Sequence, residues 1–133
     1  MKQILFVCIG NTCRSPMAEG LANHYGSDVL LASSSGLSPM PGIAPETVAI
    51  MREIDIDISK HVPMPYEPHA VSYYDTVVNM SGFKLPGKPP KDLIEWQIED
   101  PFQRTPDVYL RVREDLERRV MQLILKLRKQ SKR

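Results

Sequence analysis

The residues best suited to chemistry in this chain are concentrated in one short run near its N-terminus, called the Cys8 loop here. Its sequence is Cys8, Ile9, Gly10, Asn11, Thr12, Cys13, Arg14 and Ser15, so five residues separate the first cysteine from the arginine. An ionised cysteine is a nucleophile, and a guanidinium binds two oxygens of a phosphate-like anion at once. This spacing predicts a site that binds a tetrahedral oxyanion and attacks it with sulfur.

The flanking sequence predicts how the Cys8 loop is held. An apolar stretch before Cys8 predicts a strand, and Ser15-Pro16 predicts a helix with Ser15 as its N-cap. Gly10 and Asn11 tolerate positive φ, so the backbone of the Cys8 loop should curl at these residues and turn its N–H groups inward as an anion nest. The positive end of the helix should face the same cavity. Together these features predict that Cys8 is largely thiolate at neutral pH.

Composition limits the possible classes of protein. A length of 133 residues suits a single domain over residues 1–133. The net charge of +1 does not favour a nucleic-acid partner. No stretch is apolar enough to span a bilayer, the N-terminus does not resemble a signal peptide, and two cysteines do not make a disulfide scaffold. We therefore expect a cytoplasmic protein without a membrane partner. The three histidines have no metal-ligand spacing, so neither a metal nor a cofactor is expected.

The order of apolar runs predicts an α/β fold. Strands are predicted at residues 3–7, 29–33, 76–80 and 93–98. Helices are predicted at residues 16–25, from residue 45 and from residue 105, with a helical turn at 68–74 and a surface loop at 34–45. The last helix carries a stripe of buried positions at Tyr109, Val112, Leu116, Val120, Leu123 and Leu127. This alternation predicts parallel strands, with ligands bound at their carboxyl ends.

The Cys8 loop, its N-terminal position, the Pro16–Glu19 segment after it and a late Asp100-Pro101 together resemble one family. That family comprises the low-molecular-weight protein tyrosine phosphatases and the related thioredoxin-coupled arsenate reductases. The resemblance implies a four-stranded parallel sheet in the order 2-1-3-4, with helices on both faces. It also implies that Cys8 is the nucleophile and that Arg14 and the loop amides bind phosphate.

The Asp-Pro dipeptide follows the last predicted strand and should lie at the edge of the sheet that carries Cys8. The resemblance implies that Asp100 is the general acid for the leaving oxygen. An aspartate before a proline also commonly forms a turn, and Glu99 is the alternative acid. Met40 and Phe102 are expected to form walls of the pocket.

Other residues are expected to support the Cys8 loop. The resemblance implies that Asn11, Ser15 and Ser34 hold it through hydrogen bonds, although Ser34 also suits a simple loop position. Cys13 has two interpretations. It either traps Cys8 as a reversible disulfide under oxidation or fills a small buried space.

Three substrates remain open, and phosphotyrosine in a protein is the main expectation. Thr12 resembles family members that act on phosphoarginine. Residues 77–82 resemble the reductase segment that carries a resolving cysteine, but Ser81 stands in that cysteine's place. Arsenate reduction would therefore require an external thiol reductant, or Cys13 as the resolving thiol. A purely binding function is disfavoured, because binding needs neither a thiol nor an acid.

Overall fold

The computed structural model describes residues 1–132. Its regular elements are the strands β1 (Lys2–Cys8), β2 (Leu30–Gly36), β3 (Thr76–Asn79) and β4 (Leu93–Glu95), the helices α1 (Arg14–Tyr25), α2 (Pro45–Arg52) and α3 (Pro106–Ser131), and a 3-10 helix (Pro68–Tyr73). The strands form one sheet in the order β2-β1-β3-β4, and every pairing is parallel. The predicted fold class is confirmed. The predicted single domain extends to residue 133, which lies outside the described residues.

The sheet is buried on both faces by different parts of the chain. Ile4 and Phe6 of β1 join the larger core cluster, to which all three α-helices contribute. Leu5 and Val7 alternate with them and face a smaller cluster, which contains Val71 of the 3-10 helix. Because β1 is central and covered on both sides, it is apolar and buried from Ile4 to Cys8. It therefore delivers Cys8 to the carboxyl edge on a rigid strand.

Two strand boundaries differ from the prediction by more than one residue. Residues 34–36 belong to β2 and are not surface loop, because β2 pairs with β1 over its whole length and ends with Gly36 opposite Cys8. The predicted strand over residues 93–98 ends at Glu95 instead, since its partner β3 ends at Asn79. Trp96 is therefore not in the strand, although its N–H still donates to the carbonyl of Asn79 at 3.0 Å.

The first helix also starts earlier than predicted. It begins at Arg14, so Cys13 occupies the N-cap position and makes no side-chain cap hydrogen bond. Ser15 lies inside the helix, and its hydroxyl is used elsewhere, as described below. The prediction of Ser15 as the N-cap is therefore wrong.

The last helix matches its predicted pattern. Its six predicted apolar positions are all buried, and α3 packs against both α1 and α2. The stripe fixes the rotation of α3, which places Tyr109 under the Cys8 loop and directs Arg111 outward. Within residues 1–132, no helix combines the length and apolar character needed to cross a membrane.

Candidate active site

A cavity of about 260 Å³ opens at the carboxyl end of β1. It brings together the predicted nucleophile, arginine, acid and both pocket walls. The residues that line it are Cys8, Ile9, Gly10, Thr12, Cys13, Arg14, Ser38, Met40, Asp100 and Phe102. This is the position that parallel α/β sheets use for ligands.

The backbone of the Cys8 loop depends on three residues. Asn11 has φ +53°, the left-handed conformation expected of it. The expected positive φ at Gly10 is not found, and the loop needs glycine there for space: a Cβ would lie 2.8 Å from Cγ of Met40. Gly36 serves the same purpose on β2, where a Cβ would lie 2.7 Å from the carbonyl oxygen of Ile9. The loop can therefore lie directly against the end of β2.

Side chains from separate elements hold the Asn11 turn. Nδ2 of Asn11 donates to the hydroxyls of Ser15 at 2.8 Å and Ser34 at 3.0 Å, and the Ser34 hydroxyl donates to Glu19. The N–H of Met64 donates to Oδ1 of Asn11 at 2.9 Å. Because Asn11 is fully buried, these bonds have little competition from water. The contacts match the predicted supporting positions, and the functional role of each residue stays a prediction.

The Cys8 thiol lies at the base of the cavity. The residue is 2 % exposed, and its sulfur lies 2.9 Å from the hydroxyl of Ser15. Ser15 thus contacts the candidate nucleophile directly from the first turn of α1. A hydroxyl at this position can donate to a thiolate.

Arg14 divides its guanidinium between the scaffold and the cavity. Nη1 donates to the carbonyl oxygens of Met80 at 2.6 Å and Ile98 at 3.1 Å, while Nη2 lies 3.6 Å from Oδ2 of Asp100. Nε is buried and has no hydrogen-bond partner within residues 1–132. Buried donors are normally satisfied, so an acceptor such as a water or an oxyanion would suit this position.

Asp100 lies on the Asp100 loop, the irregular segment of residues 96–105 that connects β4 to α3. Its Oδ1 accepts from the N–H of Phe102 at 3.1 Å, and its side chain is 47 % exposed. The alternative acid Glu99 faces away and binds Arg111 on α3. Of these two carboxylates, the structure therefore places Asp100 at the cavity.

The second cysteine faces the core. Sγ of Cys13 lies 3.4 Å from the hydroxyl of Tyr109, and burial raises the pKa of the Cys13 thiol. Burial also raises the pKa of the Tyr109 hydroxyl. Both groups therefore remain protonated at neutral pH. This environment matches the interpretation of Cys13 as a buried filler more closely than that of a disulfide partner.

Two polar residues considered for specificity are engaged elsewhere. The hydroxyl of Thr12 donates to the carbonyl of Gly42 at 2.8 Å. The hydroxyl of Ser81 donates to Oδ1 of Asn79 at 2.7 Å and accepts from the N–H of Phe83 at 3.1 Å. Ser81 thus shapes the turn after β3, next to the Met80 carbonyl that receives Arg14.

Sequence reasoning missed Ser38 as a residue of the cavity. The segment after β2 runs beside the Cys8 loop, with the N–H of Ser38 donating to the carbonyl of Ile9 at 2.8 Å and that of Met40 donating to Gly10 at 2.9 Å. No local motif marks Ser38. The full pairing of β2 with β1 brings it there, and an extended β2 prediction would have indicated it.

Within residues 1–132, no cluster of three or more histidine, cysteine, aspartate or glutamate side chains has a geometry that could hold a metal ion. Among the residues that line the cavity, Arg14 is the one with a guanidinium.

Comparison with known proteins gives the family. The sequence profile of the low molecular weight phosphotyrosine protein phosphatases matches residues 3–85. This chain belongs to that family. The match ends before β4, so it includes the Cys8 loop but not Asp100.

The proteins similar to this chain include both arsenate reductases and an arginine phosphatase. A glutaredoxin arsenate reductase of Synechocystis sp. is 36% identical over 132 residues, covering 96% of this chain and 99% of that protein. A solved arsenate reductase in the phosphate-binding state has a TM-score of 0.87 and 35% identity, covering 96% of this chain and 99% of that one. A YwlE arginine phosphatase variant with a phosphorylated active-site serine has a TM-score of 0.84 and 28% identity, with 96% of both chains covered. These names favour the alternatives left open by the sequence over the main expectation of a tyrosine phosphatase.

Proposed function

We propose that this chain is an enzyme that binds a tetrahedral oxyanion and attacks it with Cys8. One observation supports this most directly: the Cys8 thiol and the buried Arg14 line the same cavity as Asp100, and Nε of Arg14 has no hydrogen-bond partner among residues 1–132. Cys8 is placed to supply the nucleophile, Arg14 the charge and Asp100 the proton. The chemistry requires reduced Cys8, which suits a reducing compartment such as the cytoplasm.

The first step is the same for arsenate and for a phosphoryl group. The Cys8 thiolate attacks the central atom, a bond from sulfur forms, and the bond to the leaving oxygen breaks. Arg14 and the loop N–H groups stabilise charge on the oxygens that remain. Asp100 gives its proton to the leaving oxygen. The product is a covalent adduct on Cys8.

Arsenate is the first candidate substrate, since the two most similar relatives reported above are arsenate reductases. The Cys8–arsenate adduct becomes arsenite when a second thiolate attacks the Cys8 sulfur. A disulfide then forms, and the electron pair of the sulfur–arsenic bond passes to arsenic. Another thiol must afterwards reduce that disulfide to regenerate Cys8.

This chain supplies only the first of those thiols. Its other cysteine, Cys13, is buried against Tyr109, and Ser81 has no thiol. We therefore propose that the second and third thiols come from outside, from a small-molecule thiol or a thiol protein. The attack on Cys8 would then come through the mouth of the cavity beside Met40 and Phe102.

Phosphoryl hydrolysis is the second candidate, and the placement of Asp100 favours it. In that reaction water attacks the phosphorus of the adduct, and Asp100, now ionised, takes the proton from the water. Every group needed for both steps is present in this chain. The substrate would be a phosphorylated arginine or tyrosine of a protein, bound between Met40 and Phe102.

The test uses purified protein with arsenate plus glutathione, with phosphoarginine and with an aryl phosphate. Arsenite and inorganic phosphate are measured, and the Cys8→Ser variant is the control. We expect that substitution to remove at least about 10³-fold of any turnover. Glutathione-dependent arsenite release supports the first candidate, and phosphate release without thiol supports the second. Turnover equal in both proteins would overturn the proposal.

A further inference from the structure

The Asp100 loop is held from outside by an ion-pair cluster that the proposed reaction does not use. We propose that Arg111 of α3, assisted by Arg104, is a positioning residue for the general acid, and that it acts by gripping Glu99. The proposal rests on the proposed function, because it assumes that Asp100 protonates the leaving group. It assigns a role to a charged groove of about 580 Å³ along α3, which Glu99 and Arg111 both line.

The grip on Glu99 is two-pronged. Oε1 of Glu99 accepts from Nε of Arg111 at 3.1 Å and from Nη2 at 3.0 Å, while Oε2 accepts from Nη2 at 3.2 Å. Nη2 of Arg104 lies 3.7 Å from Oε2 on the other side. A bidentate guanidinium–carboxylate contact fixes orientation as well as distance. The Glu99 carboxylate is therefore held in one plane against α3.

The same stretch of backbone is held from inside by Arg14. The carbonyl of Ile98 accepts from Nη1 of Arg14 at 3.1 Å, and Oδ2 of Asp100 lies 3.6 Å from Nη2. Glu99 stands between these two residues, and its side chain projects the opposite way. Consecutive Cα atoms are only about 3.8 Å apart, so movement of Glu99 passes directly to Asp100. Arg111 and Arg14 thus clamp one peptide segment from its two sides.

Asp100 needs such a clamp because little else fixes it. The Asp100 loop has no regular structure, and Gln103 within it has φ +59°. The Asp100 side chain is 47 % exposed, and its short contact is with the N–H of Phe102 in the same loop. A catalytic group on a loop requires supporting contacts to keep its geometry. The Glu99–Arg111 pair ties this loop to a helix that is buried along one face.

The expected signature is catalytic rather than structural. Exposed ion pairs contribute little to folding, so loss of Arg111 should barely change the melting temperature. A misplaced acid, however, slows the transfer of a proton to a poor leaving group. Binding of the phosphoryl group to the Cys8 loop should not change. The effect should therefore be on kcat/KM for poor leaving groups, because this constant reports formation of the Cys8 adduct and not its later hydrolysis, which is the same for every substrate.

The experiment compares phenyl phosphate, a poor leaving group, with para-nitrophenyl phosphate, an activated one. Arg111→Met and Glu99→Gln should each lower kcat/KM for phenyl phosphate by about threefold to tenfold and leave kcat/KM for para-nitrophenyl phosphate within about twofold. Arg111→Lys, which keeps the charge without the fork, should recover part of the loss. Arg118→Met is the matched control, since Arg118 forms an exposed pair with Asp115 on the same helix.

A double variant separates positioning from a general effect. If Arg111 acts through Asp100, Arg111→Met should cause no further loss in an Asp100→Asn background. Equal loss on both substrates, additive loss in the double variant, or the same loss in Arg118→Met would overturn the positioning role while leaving the proposed function intact. Turnover that does not depend on Cys8 would overturn the proposed function itself.

Discussion

The Cys8 loop and the Asp100 loop line the same cavity, but they are built in opposite ways. In the first, the backbone is bent around buried Asn11 and fastened by uncharged hydrogen bonds from α1, β2 and the Met64 segment. In the second, exposed carboxylates are fastened by arginines. Buried hydrogen bonds resist water and salt, whereas exposed ion pairs are screened by both. The part proposed to bind the anion is therefore held by contacts shielded from solvent, and the part proposed to move the proton is held by contacts open to screening.

The largest effect is expected where the buried network is cut. Asn11→Ala removes the hydrogen bonds to Ser15, Ser34 and Met64 and puts alanine at φ +53°. We expect a loss of about 3 kcal/mol in the free energy of unfolding and about 10²-fold in kcat/KM, from urea denaturation and steady-state kinetics. A fully stable variant with normal kcat/KM would show that the loop does not depend on this network.

The second effect should fall on rate and leave stability unchanged. Asp100→Asn keeps the shape of the side chain but removes the proton donor. The kcat/KM for phenyl phosphate should fall by about 10²-fold, and that for para-nitrophenyl phosphate much less, because kcat/KM reports only the step in which the leaving oxygen departs. The unfolding midpoint in urea should stay within error, since Asp100 is half exposed. Equal loss on both substrates would reject the acid assignment.

A third variant tests whether a thiol can be restored beside the two loops. Ser81→Cys replaces a buried hydroxyl in the turn after β3 with a thiol. If arsenate is a substrate, arsenite release at limiting glutathione should rise a few-fold, because an internal thiolate competes well with an external one. The release of phosphate from aryl phosphate should not rise. Unchanged arsenite release would show that residue 81 does not reach the Cys8 adduct.

The smallest effect is expected at the residue of the Cys8 loop that faces inward. Because burial raises the pKa of Cys13, its thiol stays protonated and shielded at neutral pH. Iodoacetamide should label the native protein at Cys8 alone and the urea-unfolded protein at both cysteines, as peptide mass analysis would show. Equal native labelling of both thiols would contradict the assigned environment.

The raised pKa of Cys13 also predicts that the free energy of unfolding falls at alkaline pH. A pKa raised by folding contributes stability below the pKa of the unfolded thiol, and that contribution is lost as pH rises toward the folded value. The free energy of unfolding should therefore fall above neutral pH, and less steeply in Cys13→Ala. An equal slope in both proteins would assign the fall to other groups.

The parts that the sequence predicted well are those whose determinants are local. The Cys8 loop could be found because Cys8, Asn11 and Arg14 lie within one strand–loop–helix unit. The buried apolar positions of α3 are equally predictable, because helical periodicity repeats along one segment. The incorrect predictions concern features that depend on residues far away in the sequence. The local sequence favours Ser15 as the N-cap of α1, because no local pattern shows that Cys8 and Asn11 compete for its hydroxyl.

Distance along the chain hid the remaining features of the site. The end of β4 depends on the end of its partner strand β3. The last residues of the two strands, Asn79 and Glu95, pair with each other although they are 16 positions apart in the sequence. Glu99 and Arg111 are 12 positions apart and belong to no shared periodic pattern. Ser38 reaches the cavity through strand register alone. Such pairs become visible only when the folded backbone brings them together.

The way Arg14 is anchored has a consequence for the living cell. Because Met80 and Ile98 already fix one edge of its guanidinium, the other edge is oriented before any anion arrives, and little side-chain entropy remains to be lost. If the proposed site binds a tetrahedral oxyanion, this preset orientation would favour arsenate and orthophosphate alike, since both place four oxygens around a central atom. Orthophosphate would then compete with arsenate, and arsenate turnover would fall as the phosphate concentration rises.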